Sequence, residues 1–162
     1  MFDEEERIQA VREAVENYFE RENAKYQPFD ERNIARAGYS VRTKFGSVSA
    51  FFHAQKDALN VRMILPINAE EAERTNVGEY LLRANYGFKI GGFDFDFSDG
   101  EISYRVSLYC GEDEFVPPTY EQIDNAVMVG LAMIHKYGDS LVKVVFGIIE
   151  PEEAIELVEG NN

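Results

Sequence analysis

Residues 93–109 alternate between apolar and polar side chains on both sides of a short turn sequence. Phenylalanine occupies every second position of 93–97, and Ile, Tyr, Val and Leu occupy every second position of 102–108. Such an alternation is typical of strands that bury one face and expose the other. Between the two arms, Gly100 ends a Ser-Asp-Gly sequence and can adopt the positive φ that a tight loop requires. The stretch therefore predicts a β-hairpin, and with it an antiparallel sheet.

The remaining elements are predicted from the same kind of pattern. Alternation predicts three strands before the hairpin, at 39–45, 48–53 and 59–65. Apolar residues spaced three and four apart predict helices at 3–23, 69–85, 119–146 and 152–158. The order is α-β-β-β-α-β-β-α-α, over a single domain of 162 residues. We therefore expect an α+β fold with a single antiparallel sheet of about five strands and helices packed on one face.

If the helices cover one face of this sheet, the strands direct a second set of side chains to the other. The apolar members of that set are Phe51, Ile64 and Tyr109, and its arginines include Arg62 and Arg105. The same face is expected to carry Arg42, Lys44, Asp94 and Asp96. Apolar anchors and arginines among polar groups are typical of protein interfaces. Scattered apolar residues are also normal on any surface, so both interpretations remain open.

The charge of the chain limits its partners. Lys and Arg total 16 against 30 Asp and Glu, which gives a formal net charge of −14. This balance argues against binding to nucleic acid or to an anionic membrane surface. It favours a basic partner, or it serves solubility alone. Cys110 is the only cysteine, so no disulfide can form within the chain, which is typical of a reducing compartment and predicts a cytoplasmic protein.

No catalytic, metal or cofactor site is predicted. The densest carboxylate set is Asp94, Asp96, Asp99 and Glu101, but its spacing departs from that of a calcium-binding loop. We interpret it as the exposed face of a strand and a turn. His53 and His135 lie far apart, and neither belongs to a metal-binding motif. Carboxylates at 112–114 are expected to raise the pKa of the Cys110 thiol, which would make it a poor nucleophile.

Two further features keep alternatives open. Gly130 and Gly138 in the long helix allow close approach either to the sheet beneath or to a twin helix in a homodimer. A pocket between that helix and the sheet, near Tyr104, His135 and Tyr137, would instead suit a small-ligand-binding or enzymatic domain.

Residues 81–87, 92–96 and 99–108 together resemble the YbjN-domain family of bacterial proteins, also described as sensory-transduction-regulator-like. The resemblance extends over about 8–146 and is sharpest at 81–108. The family is similar in fold to type III secretion chaperones. The resemblance therefore implies a small, acidic, non-enzymatic protein that dimerises and binds other polypeptides. It carries over no catalytic residues. The expected function is that of a protein-binding adaptor or chaperone-like regulator.

Overall fold

Residues 1–160 are described by the structure, a computed structural model, and six of their segments form one antiparallel sheet. The strands are β1 (Tyr26–Gln27), β2 (Ile34–Ser40), β3 (Ser47–Ala54), β4 (Ala58–Asn68), β5 (Gly92–Phe95) and β6 (Glu101–Tyr109). The helices are α1 (Glu4–Arg21), α2 (Arg74–Asn85), α3 (Tyr120–Val145) and α4 (Pro151–Glu159), and a 3-10 turn (Glu71–Glu73) precedes α2. The strand order is β1-β2-β3-β4-β6-β5. The predicted α+β class is confirmed, with the two-residue β1 as the additional strand.

The predicted hairpin is confirmed as β5 and β6, although β5 ends at Phe95, so Phe97 belongs to the turn and is exposed rather than sharing the buried strand face. Phe93 lies opposite Tyr104, and Phe95 lies opposite Ile102, so both pairs share one face. Gly100 has φ of +78° and its carbonyl accepts a hydrogen bond of 2.9 Å from the N–H of Ala69. The turn of the hairpin is thereby attached to the chain that enters α2.

Helices α1, α3 and α4 begin where the sequence places their signals, whereas the helix predicted from 69 begins only at Arg74, after the 3-10 turn. Asp3 and Thr119 each form a capping box, with side chains that accept hydrogen bonds from Glu6 and Gln122 at the third helical positions. Such caps satisfy backbone N–H groups that have no partner within the helix. Pro151 is the first residue of α4, where its missing N–H has no cost. Among residues 1–160, no helix is both long and apolar enough to cross a membrane.

The core lies between the helices and one face of the sheet, which we call the inner face. Alternate residues of β3 and β4 are buried there, from Val48 to Leu65. Phe19 of α1 stacks on Tyr26 at 4.4 Å between ring centroids and meets the edge of Phe52 at 4.8 Å. Helices α1 and α3 pack on this face and on each other, and α2 packs on β5, α3 and α4. The opposite face of the sheet is thereby left without a helix.

The strand predicted at 39–45 is placed wrongly. Strand β2 ends at Ser40, and 41–46 forms a turn closed by a hydrogen bond from Val41 N–H to the Gly46 carbonyl. The turn is held by α3, because His135 accepts from the Arg42 N–H at 3.0 Å and Asp139 accepts from the Lys44 N–H at 3.1 Å. The side chains of 39–45 alternate as a strand would, but these tertiary hydrogen bonds fix a turn.

The two glycines of α3 face the rest of the chain. A Cβ on Gly130 would lie 2.8 Å from the sulfur of Met63, and one on Gly138 would lie 3.0 Å from Thr43. Close backbone approach is therefore used within the chain, to seat α3 on the sheet and on the 41–46 turn. Of the two expectations for these glycines, packing against the sheet is confirmed. A twin helix cannot use the same glycine faces.

Candidate partner-binding surface

The face of the sheet opposite the helices, which we call the outer face, is open. Its side chains alternate with the buried ones of the inner face, as the strand registers require. They include Arg36, Ser49, Phe51, His53, Asn60, Arg62, Ile64, Asp94, Glu101, Ser103, Arg105, Ser107 and Tyr109. An antiparallel sheet with helices on one side commonly leaves its second face to solvent, where side chains can meet a partner.

One row of this face crosses four strands. Arg36 lies opposite Phe51, Phe51 opposite Arg62, and Arg62 opposite Arg105. The guanidinium of Arg36 lies over the Phe51 ring at 5.4 Å from its centroid, and its Nη2 donates to Ser49 Oγ at 3.0 Å. Directly opposite side chains on neighbouring strands have Cβ atoms about 5 Å apart. The register therefore places one aromatic ring and three guanidinium groups in a single row.

Asp94 holds the two arginines of β4 and β6 together. Its Oδ2 lies 2.7 Å from Arg105 Nε and 3.1 Å from Arg62 Nη1. Arg62 Nη1 also donates to Ser103 Oγ at 2.7 Å, and Arg105 Nη1 donates to Ser107 Oγ at 3.2 Å. These contacts fix both guanidinium groups and bury Ser103, although it belongs to the outer face. We call these five residues the Asp94 cluster.

The electrostatics of the cluster favour an ionised Asp94. Partial burial opposes the charge, but the hydrogen bonds and charges of Arg105 and Arg62 outweigh burial, so the pKa of Asp94 lies below its usual range. Two guanidinium groups directly opposite each other would otherwise repel. The Asp94 carboxylate between Arg62 and Arg105 therefore offsets the repulsion between the two guanidinium groups in the folded protein.

We expect Asp94→Asn to lower the free energy of unfolding by about 1 kcal/mol near pH 7, a small value because the charged side chains are about one-third exposed and screened by water. The folded-state pKa of Asp94 is lowered, so its contribution is present above the unfolded-state pKa and is lost as the pH falls through the folded-state pKa. The difference between wild type and variant should stay constant above about pH 5 and shrink below about pH 4.

Urea unfolding at a series of pH values measures this difference. Asp113→Asn, at an exposed loop position, is the matched control and should leave stability unchanged at every pH. An Asp94→Asn variant whose deficit is independent of pH down to pH 2 would contradict the ion-pair explanation.

The structure brings four of the five predicted contact residues together. Phe51, Arg62 and Arg105 belong to the same row, and Ile64 lies one step further along β4, opposite Ser49 and Ser103. Tyr109 is on the outer face and 71% exposed, but it lies four positions further along β6 than Arg105. That spacing is about 13 Å in a strand, so Tyr109 stands at the margin of this surface.

Three residues expected on the outer face lie elsewhere. Arg42 and Lys44 belong to the 41–46 turn next to α3, because β2 ends before them. Asp96 belongs to the hairpin turn, where it accepts hydrogen bonds from the N–H and the hydroxyl of Ser98. The strand predicted at 39–45 is β2, which spans Ile34–Ser40. Because the strand was predicted too late in the chain, Arg42 was wrongly included in the outer face and Arg36 was missed. The alternation at 34–37 was the available signal, weakened by two alanines with low strand propensity.

The local charge of the outer face differs from that of the whole chain. Its strands direct Arg36, Arg62 and Arg105 outward against the two carboxylates Asp94 and Glu101. The chain as a whole has a formal charge of −14. A groove of about 490 Å³ runs beside the cluster, and its lining includes Arg62, Ser103 and Phe97 together with the three carboxylates Asp94, Asp96 and Glu101. The arrangement offers fixed arginine donors beside a groove that is lined mainly by polar and acidic side chains.

Asp99 and His135, which were also considered as chemical candidates, form hydrogen bonds within the fold. Asp99 accepts from the Glu101 N–H in the hairpin turn. Within residues 1–160, no group of three or more His, Cys, Asp or Glu side chains is arranged to hold a metal ion. Cys110 is a free, buried thiol, and burial first and the charge of Asp57 second raise its pKa. The direction agrees with the expectation from the sequence, but burial and Asp57, rather than the exposed carboxylates at 112–114, are the causes.

The residues of the alternative pocket are only partly brought together. Tyr104 and Tyr137 both line a pocket between α3 and the segment 86–90. His135 does not line it, because its Nε2 is turned towards the 41–46 turn as the acceptor for Arg42. A pocket therefore exists where the sequence suggested one, without the histidine.

No protein-family model matches the chain, and no curated protein matches its sequence significantly. In a comparison with solved structures, the chain is similar to the crystal structure of YbjN from E. coli, a protein proposed to be a transcription regulator. The TM-score is 0.54 with 11% sequence identity, over 76% of this chain and 85% of YbjN. At this identity the likeness concerns the fold. The chain has a YbjN-like fold, as the resemblance of 81–108 implied.

Proposed function

We propose that this chain is a non-enzymatic adaptor or chaperone-like regulator that captures another polypeptide on its outer face. The observation that carries the proposal is an uncovered sheet face on which Phe51 and Ile64 stand beside a fixed pair of arginines, Arg62 and Arg105. Aromatic and arginine side chains are enriched among the residues that dominate binding energy at protein interfaces. The similarity in fold to YbjN is consistent with a regulatory role.

The chemistry of the outer face favours an acidic partner segment with an apolar anchor. Arg36, Arg62 and Arg105 outnumber the carboxylates of this face, and guanidinium groups bind carboxylates through paired hydrogen bonds. Phe51 and Ile64 provide the apolar contact for such an anchor. A basic partner, expected from the whole-chain charge, would instead meet the acidic surfaces elsewhere on the chain. Tyr109 would contact the margin of a longer partner.

The double variant Phe51→Glu/Ile64→Glu is expected to remain folded and to lose at least ten-fold in affinity for the captured polypeptide. The reason is that two carboxylates replace the apolar anchors and repel an acidic segment. The variant and the intact chain would be used as baits in a native lysate and against a random-peptide display library. Enriched peptides should combine Asp or Glu with aromatic or aliphatic residues.

Leu82→Glu/Leu157→Glu is the matched control. It makes the same chemical change at two exposed apolar residues of α2 and α4, on the helical side of the molecule. Circular dichroism and the urea midpoint establish that both variants are folded. Capture that survives in the outer-face variant but is lost in the control would move the binding surface to the helices. Sedimentation of the intact chain tests the homodimer, which stays a prediction.

A further inference from the structure

A pocket of about 420 Å³ lies between α3 and the segment that joins α2 to β5. Its walls are apolar, with Val129 and Met133 from α3 and Phe88 and Ile90 from the connecting segment. The volume falls in the range of about 300–1,000 Å³ that is usual for small-molecule sites. It lies on the helical side of the sheet and shares no lining residue with the outer face.

The floor of the pocket is formed by the buried Tyr104 and Tyr137. The Tyr104 hydroxyl donates to the Ile90 carbonyl at 2.7 Å, and the Tyr137 hydroxyl donates to Glu159 Oε1 at 2.7 Å. Burial raises the pKa of Tyr104 to about 12, and burial followed by the hydrogen bond to Glu159 raises the pKa of Tyr137 further. Both phenols are therefore neutral with their donors in use. A bound molecule would therefore contact mainly the aromatic rings of the two tyrosines rather than their hydroxyl groups.

Two lysines, Lys89 and Lys136, complete the lining, and no carboxylate does. Neither ammonium group forms an ion pair with any of residues 1–160. Lys136 Nζ lies 5.4 Å from the centroid of the Tyr137 ring, at the floor of the pocket. Both lysines are exposed, and the Glu159 carboxylate that accepts from Tyr137 does not line the pocket, so the lining itself carries two positive charges and no negative one.

We propose that this pocket binds a small amphipathic anion. The apolar body of the ligand would pack against Phe88, Ile90 and Met133, and its anionic group would be held by Lys89 and Lys136. A molecule with an apolar body and one anionic end suits this pocket, because the walls are apolar, the polar groups of the floor are already hydrogen-bonded, and two cations without an ion pair line it. The proposal does not depend on capture of a polypeptide by the outer face.

The direct test uses 1-anilinonaphthalene-8-sulfonate, a fluorescent amphipathic anion, with decanoate and decanol as competitors. The two competitors have the same chain length and differ in charge at neutral pH. We expect saturable dye fluorescence and displacement by decanoate at a concentration at least ten-fold lower than by decanol. Equal displacement by both competitors, or no saturable binding, would overturn the proposal.

Two sets of variants locate the site. Lys89→Gln/Lys136→Gln should remove the preference for decanoate, whereas Lys25→Gln/Lys44→Gln, which makes the same change in net charge at exposed positions, should keep it. Met133→Trp should fill the pocket and reduce dye binding at least five-fold, with folding checked by circular dichroism. The outer-face variant Phe51→Glu/Ile64→Glu should bind the dye as the intact chain does. A loss of preference in both lysine pairs would show a general charge effect and overturn the site.

Discussion

Replacing Gly100 by Ala is expected to lower the free energy of unfolding by about 3–4 kcal/mol. Gly100 has φ of +78°, in the left-handed region that costs a residue with a side chain about 1–2 kcal/mol. A Cβ at this position would lie 2.1 Å from the carbonyl oxygen and 2.8 Å from the nitrogen of Ala69, both backbone atoms. To relieve the contact, the hairpin turn must move away from Ala69 and break the hydrogen bond between them.

Gly46→Ala is the control that separates the two causes. Gly46 also has a positive φ, +74°, but a Cβ there would meet no atom within 4 Å. This variant should lose only the backbone contribution, about 1 kcal/mol. Urea unfolding measures the free energy of unfolding of the two variants. In thermal unfolding, the Tm of Gly100→Ala should lie about 8–12 °C below that of the wild type. Equal losses in the two variants would mean that contact with Ala69 contributes nothing.

Replacing Asn85 by Leu is expected to destabilise the protein by about 2–4 kcal/mol and to promote association between copies. The side-chain amide of Asn85 takes the place of a neighbouring strand at the edge of the sheet. Its Oδ1 accepts from the Phe93 N–H at 2.7 Å, and its Nδ2 donates to the Phe93 carbonyl at 2.9 Å. Leucine has a similar size but can form neither bond, so both partly buried backbone groups of Phe93 would lose their partner.

Hydrogen exchange at the Phe93 amide and light scattering across a concentration series test the two consequences. The Phe93 amide should exchange faster in Asn85→Leu, and the apparent mass should rise with concentration because an open strand edge can pair with another chain. Asn125→Leu, at an exposed position of α3, is the matched control and should change neither quantity. Asn85→Asp keeps the acceptor for the N–H and loses the donor, so its stability should lie between wild type and Asn85→Leu. A monomeric Asn85→Leu chain with unchanged exchange would show that Asn85 does not protect this edge.

Asn85 also limits where a partner can bind. β5 is one edge of the sheet, and an extended peptide could add to such an edge if its backbone groups were free. Because Asn85 occupies the Phe93 groups, the outer face rather than this edge is the surface on which we place polypeptide capture. The same contact joins α2 to β5. It therefore helps to fix the segment 86–90, which forms one wall of the pocket that contains Lys89 and Lys136.

The local sequence pattern predicted a structural element correctly where the residues that determine the element lie close together in the chain. The alternation in 93–109, the capping boxes at Asp3 and Thr119, and Pro151 each act over a few neighbouring residues. The periodicity also separates inner from outer residues on a strand once the strand is located, which is why Phe51, Ile64, Arg62 and Arg105 were found. It failed at 39–45, where the N–H groups of Arg42 and Lys44 donate to His135 and Asp139, more than 90 residues away, and so fix a turn.

The sequence by itself determined the class of fold, the hairpin, the starts of α1, α3 and α4, and about half of the outer-face residues, since these depend on side-chain spacing and local backbone preferences. Only the tertiary structure decided the strand order β1-β2-β3-β4-β6-β5 and the register that sets Arg36, Phe51, Arg62 and Arg105 in one row. It also decided that Asp94 joins two strands and that Asn85 closes the sheet edge. These contacts depend on which distant segments pack together, and that is set by the burial of the whole core rather than by any single stretch of the chain.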